Sequence, residues 1–97
     1  MIADMILSDG LTLDARRRFL EQASVNIERL AGRSIPQLVI DCSIIERVDD
    51  PVIGMLTVIA RSAERRGLRV QLYMPSLHLR QSLDTLGVTD MFDKRLL

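Results

Sequence analysis

The sequence predicts an α/β fold, a single domain over residues 1–97 whose helices alternate with the strands of a small mixed sheet. Three observations carry that expectation. Two short runs, Gln37-Leu38-Val39-Ile40-Asp41-Cys42 and Leu68-Arg69-Val70-Gln71-Leu72-Tyr73, have the length and the β-branched, apolar composition of strands. Longer segments before, between and after them repeat apolar residues at helical spacing. Gly32, Gly67 and Gly87 fall where each helical pattern ends, as helix stops do. Strands and helices in alternation are the signature of α/β architecture.

In chain order, Met1 to Leu7 alternates weakly through Ile2, Met5, Ile6 and Leu7, which predicts a strand, and Ser8-Asp9-Gly10 the turn after it. A helix is expected from Thr12 or Asp14, with Ala15, Phe19, Ala23, Ile27 and Leu30 as its core stripe. Arg16, Arg17 and Arg18 form a basic cluster in its first turns, where cations oppose the helix dipole. A solvated face is the simpler reading of that cluster, and contact with an acidic partner the functional one. Arg33 to Pro36 is a loop. The central strand Gln37–Cys42 has the composition of a strand buried on both faces.

Ser43 to Val48 links that strand to Asp49-Asp50-Pro51, where the most apolar helix begins. Asp50 is expected as N-cap and Pro51 as first helical residue, where its missing N–H costs nothing. Val52, Leu56, Ile59 and Ala63 form the core stripe, and Ile53, Gly54, Thr57 and Arg61 lie off it. Two carboxylates thus stand at a helix N-terminus, a place that favours acidic groups. After Leu68–Tyr73, Ser76 is the expected N-cap of a last helix burying Leu79, Leu83 and Leu86, with Gly87 at its C-terminal end. Val88, Met91 and Phe92 should cover the edge of the core, and Asp93–Leu97 reads as a tail.

The whole-chain figures exclude several classes of function. The 13 basic and 13 acidic residues cancel, which removes any bulk electrostatic case for binding nucleic acid or a membrane surface. Phe19, Tyr73 and Phe92 are the only aromatic residues, too few for a base-stacking platform. Cys42 is the single cysteine, so no intrachain disulfide forms, and it reads as a buried bystander. His78 is the single histidine and is given no role. No apolar run approaches the roughly 20 residues of a membrane-spanning helix, and Met1-Ile2-Ala3-Asp4 lacks the basic start of a signal peptide, so a cytoplasmic location is expected. Nucleophile–base pairs, phosphate loops and metal-ligand spacings are missing, and neither catalysis nor a cofactor is expected. A metal cluster of Asp41, Asp49 and Asp50 would resemble a receiver-domain pocket, but the only lysine is Lys94 in the tail.

The order of Asp41, the linker, Val48-Asp49, the apolar helix ending Arg65-Arg66-Gly67 and the strand Leu68–Leu72 resembles a STAS domain. That is the domain of bacterial anti-sigma factor antagonists and of sulfate-transporter tails. The resemblance runs from about Leu11 to Phe92, including Leu83-Asp84-Thr85-Leu86-Gly87-Val88. The usual turn of the family is Asp-Ser-Ser-Gly, then an apolar residue and Gly. Here it is Asp49-Asp50-Pro51-Val52-Ile53-Gly54, so Asp49, Ile53 and Gly54 match while Asp50 stands at the phosphoacceptor serine. Such domains open with two strands, and the front of this chain is short for both.

The resemblance implies a non-enzymatic signalling module that binds a protein partner through the loop and helix Asp49–Arg61. The contact residues it implies are Asp49, Asp50, Ile53, Gly54, Thr57 and Arg61. Its partner would be an anti-sigma factor or serine kinase-like protein in a partner switch; the alternative is the ATPase subunit of an ABC-type lipid transporter, which some single-domain STAS proteins serve as accessory subunits. Ser43 is a second hydroxyl near the turn and an alternative acceptor. Self-association as a homodimer is left open.

Overall fold

The first helix, α1 (Leu13–Leu30), starts where Thr12 adopts extended backbone and its hydroxyl accepts from the Ala15 N–H at 3.1 Å. The computed structural model describes residues 3–93. In it α1 follows a two-residue strand, β1 (Met5–Ile6), and precedes β2 (Gln37–Asp41). Then come α2 (Asp50–Arg65), β3 (Arg69–Tyr73), α3 (Leu77–Thr85), a 3-10 turn at Thr89–Met91, and β4 (Phe92–Asp93). The strands form one sheet in the order β1-β2-β3-β4, every neighbouring pair parallel. The expected mixed sheet is therefore parallel throughout, because a helix returns the chain between each pair of successive strands. One strand opens the described residues; Met1 and Ile2 of the expected strand, like Lys94–Leu97 of the expected tail, lie outside them.

Register sorts the sheet into two faces. Met5, Leu38, Ile40, Val70, Leu72 and Phe92 point to one side and are buried with the apolar stripes of the helices. The other side is partly open. Val39 and Tyr73 are half-buried and Ile6 is exposed, so β2 alternates rather than being covered on both faces. Gln71 and Asp93 are buried there all the same, and the Gln37 side-chain amide donates to Asp93 Oδ2 at 2.9 Å, bridging β2 and β4 across β3.

The expected stripes hold in α1 at Phe19, Ala23 and Ile27 and in α2 at Val52, Leu56, Ile59 and Ala63. Leu79 and Leu83 of α3 are buried, but Leu86 is 56% exposed. Leu86 is the C-cap residue, already leaving the helix, and Phe92 of β4 sits in the core instead. The ends of α2 and α3 share one geometry. Gly67 (φ +78°) donates to Glu64 O and Leu68 to Ala63 O; Gly87 (φ +70°) donates to Asp84 O and Val88 to Leu83 O. Both closures need a left-handed residue, which is why glycine stands at each. What read as a tail begins with a strand, since Arg69 Nη2 donates to Asp90 O and Phe92 O at 3.2 and 2.9 Å and holds β4 against β3.

Candidate partner-binding site

The turn that launches α2 is held by a residue far away in sequence. Asp9 accepts from the backbone N–H groups of Glu46 (2.9 Å) and Arg47 (2.9 Å), fixing the linker just before the turn. Those amides, and the charge of Arg47, hold the Asp9 carboxyl below its ordinary value of 3.8. Ile45 is buried at the middle of the linker and anchors it from the other side. Asp41 closes the strand end by accepting from Ser43, hydroxyl and amide, which lowers its pKa too.

The folded pKa of Asp9 lies below 3.8, so its contribution to stability is complete above that value and disappears as pH falls through the folded value. Acid unfolding followed by circular dichroism should therefore show a shallower loss of stability below pH 3.8 in Asp9→Asn than in wild type. Identical acid limbs in the two proteins would remove Asp9 from this role.

The helix starts one residue earlier than its sequence suggests. Asp49, not Asp50, is the N-cap: its backbone is extended (φ −122°, ψ 168°) and its Oδ1 accepts from Val52 N at 3.1 Å. Asp50 is the first helical residue and Pro51 the second. Pro51 has no N–H, and the Asp49 carbonyl takes the N–H groups of Val52 and Ile53, leaving the Asp50 carboxylate without a capping bond. Asp50 therefore faces solvent beside the positive end of the helix.

The proposed contact residues divide in two. Gly54 and Arg61 are exposed, and Thr57 is half-buried with its hydroxyl donating to Ile53 O at 2.8 Å. Ile53 is 4% exposed and belongs to the core, because α2 buries a wide arc and not the single stripe. A Cβ built on Gly54 would meet nothing within 4 Å, so no neighbour explains the missing side chain.

Sequence reasoning missed the flanks of this helix. Toward α3 a polar groove of about 340 Å³ brings Asp49 and Asp50 together with His78, Gln81 and Ser82. The signal was there as polar residues at 78, 81 and 85 on one side of α3, opposite Leu79 and Leu83. Cys42 is 1% exposed, and burial followed by the charge of Asp41 pushes its thiol up to about 12, which leaves no thiolate for nucleophilic chemistry at neutral pH. Among the described residues, no three His, Cys, Asp or Glu side chains are grouped to hold a metal ion, and no helix is long and apolar enough to cross a membrane.

A family model described as "Mlab, STAS domain" matches residues 4–97. The chain belongs to the STAS domain family. No curated protein gives a significant match. STAS domains act as regulatory and interaction modules.

Proposed function

We propose that this STAS domain is a non-enzymatic interaction module that docks a regulatory protein through the Asp49–Asp50 turn and the exposed residues Gly54, Thr57 and Arg61 of α2. Gly54 carries the reading. Glycine inside a helix costs about 1 kcal/mol relative to alanine, and nothing in the fold needs the space above it. A helix that gives up stability to keep an exposed spot low is shaped for close approach of another surface.

Of the two partner classes, the ATPase subunit of an ABC-type lipid transporter is favoured over an anti-sigma factor or serine kinase. A phosphorylation-driven switch needs a free serine at the turn, and position 50 carries aspartate. The hydroxyls in the adjoining segments are committed, Ser43 to Asp41 and Thr57 to Ile53 O. The matching family model is described as Mlab and not as an anti-sigma factor antagonist. A complex built on Asp50 is then free of control by phosphorylation at that position, which suits an accessory subunit.

Thr57→Arg should abolish co-purification of the partner from native lysate while leaving the unfolding midpoint nearly unchanged. Gly54→Ala should raise stability by about 1 kcal/mol. Mass spectrometry of the co-purified protein separates an ATPase from a kinase. Partner retained by Thr57→Arg would remove this face as the docking surface.

A further inference from the structure

The arginine cluster of α1 is not used by that reading. Arg16, Arg17 and Arg18 are consecutive, so the helix turns them to different sides. Arg18 goes to the far side of α1, beside Glu21 and Val25. Arg16 and Arg17 turn to α2 and border a groove of about 370 Å³ between the two helices. Its apolar walls are Leu13 and Leu20 of α1 and Pro51, Met55 and Val58 of α2, with Gly54 between them. Leu13 is 63% and Val58 52% exposed, so both walls of the groove present apolar surface to solvent.

Arg17 is exposed; Arg16 is half-buried, and its Nη1 donates to Leu11 O at 3.0 Å. The ion pairs of the described residues, Arg29–Asp4 and Arg66–Glu28, use other side chains. Arg61 and Arg65 follow Gly54 at two and three turns along the exposed stripe of α2, beyond the residues that line the groove.

We infer that this α1/α2 groove receives an amphipathic helix of the protein partner, one whose apolar ridge is bordered by carboxylates. The inference rests on the docking role of α2 proposed above and names the chemistry of what docks there. Two side-by-side helices present ridges and a furrow into which a third helix lays its own ridge. Arginine forks at the rim match carboxylates in a way that lysine or a polar rim does not. Zero net charge means that no bulk field attracts the partner, so local pairing sets its orientation.

The test uses the whole chain and a fluorescein-labelled, stapled helical peptide with leucines at i, i+3, i+4 and i+7 flanked by glutamates, against the same peptide with lysines in their place. Fluorescence anisotropy should show the glutamate peptide binding roughly tenfold tighter or better. The double variant Arg16→Glu, Arg17→Glu should reverse that order, Val58→Asp should weaken both peptides, and Arg18→Glu, on the far side of α1, should change neither. Equal affinity for the two peptides, no binding, capture by phosphatidylglycerol vesicles instead, or a dimer that hides the groove in sedimentation would each overturn it. Co-purification keeps the two proposals apart. If the double variant retains the native partner while Thr57→Arg loses it, the groove assignment fails and the docking role stands; if both retain it, the docking role itself fails.

Discussion

Replacing Ile53 with alanine is expected to lower the free energy of unfolding by about 2–5 kcal/mol, the usual loss when a buried isoleucine side chain is truncated. Ile53 is 4% exposed and packs with the core cluster at the start of α2. Domains of this size are commonly stable by about 5–15 kcal/mol, so the variant should stand near the limit of folding. Urea unfolding followed by circular dichroism measures the loss directly. The result also separates two meanings of a binding defect. A lost partner in Ile53→Ala reports a loosened helix, whereas a lost partner in Thr57→Arg, made on the accessible side, reports a blocked contact. A loss below about 0.5 kcal/mol, the range of ordinary surface substitutions, would return Ile53 to the exposed face.

The position of Ile53 shows where sequence periodicity stops being informative. A four-residue stripe, Val52, Leu56, Ile59 and Ala63, is enough to identify α2 and its inner side, and all four are buried. The full buried set adds Ile53, Met55 and Ala60, because α2 lies with α1 on one flank and the α3 side on the other. How wide an arc is covered depends on neighbours and not on the helix's own pattern. Caps were legible where one residue alone could serve, as at Ser76, whose hydroxyl accepts from Leu79 N at 3.1 Å. At Asp49-Asp50 two equal candidates stood side by side, and only the backbone decided between them. The Asp9 clamp on Glu46 and Arg47 joins residues 37 and 38 positions apart, and no local pattern announces such a contact. β4 is two residues long, too short for alternation to show.

The last prediction separates the two aspartates at the start of α2. Asp49→Ala should cost about 1 kcal/mol of stability, because it removes the acceptor for the Val52 N–H, and Asp49→Ser should recover most of that loss. Asp50→Ser should cost less, about 0.3–1 kcal/mol, since only a favourable charge at the helix N-terminus is lost. Binding should run the other way. The cap ties Asp49 to its own helix, while the Asp50 carboxylate is exposed and borders the groove shared with His78, Gln81 and Ser82. By the STAS resemblance a serine that accepts phosphate would stand there, bringing about −1.5 to −2 charge and three oxygens when phosphorylated; aspartate brings one charge and two oxygens, permanently. If the partner reads that charge, Asp50→Ser should weaken binding roughly tenfold, equivalent to about 1.4 kcal/mol, which titration calorimetry measures readily. Asp49→Ser should leave the affinity nearly unchanged. Wild type and Asp50→Ser binding within a factor of two would mean that Asp50 serves only the helix dipole.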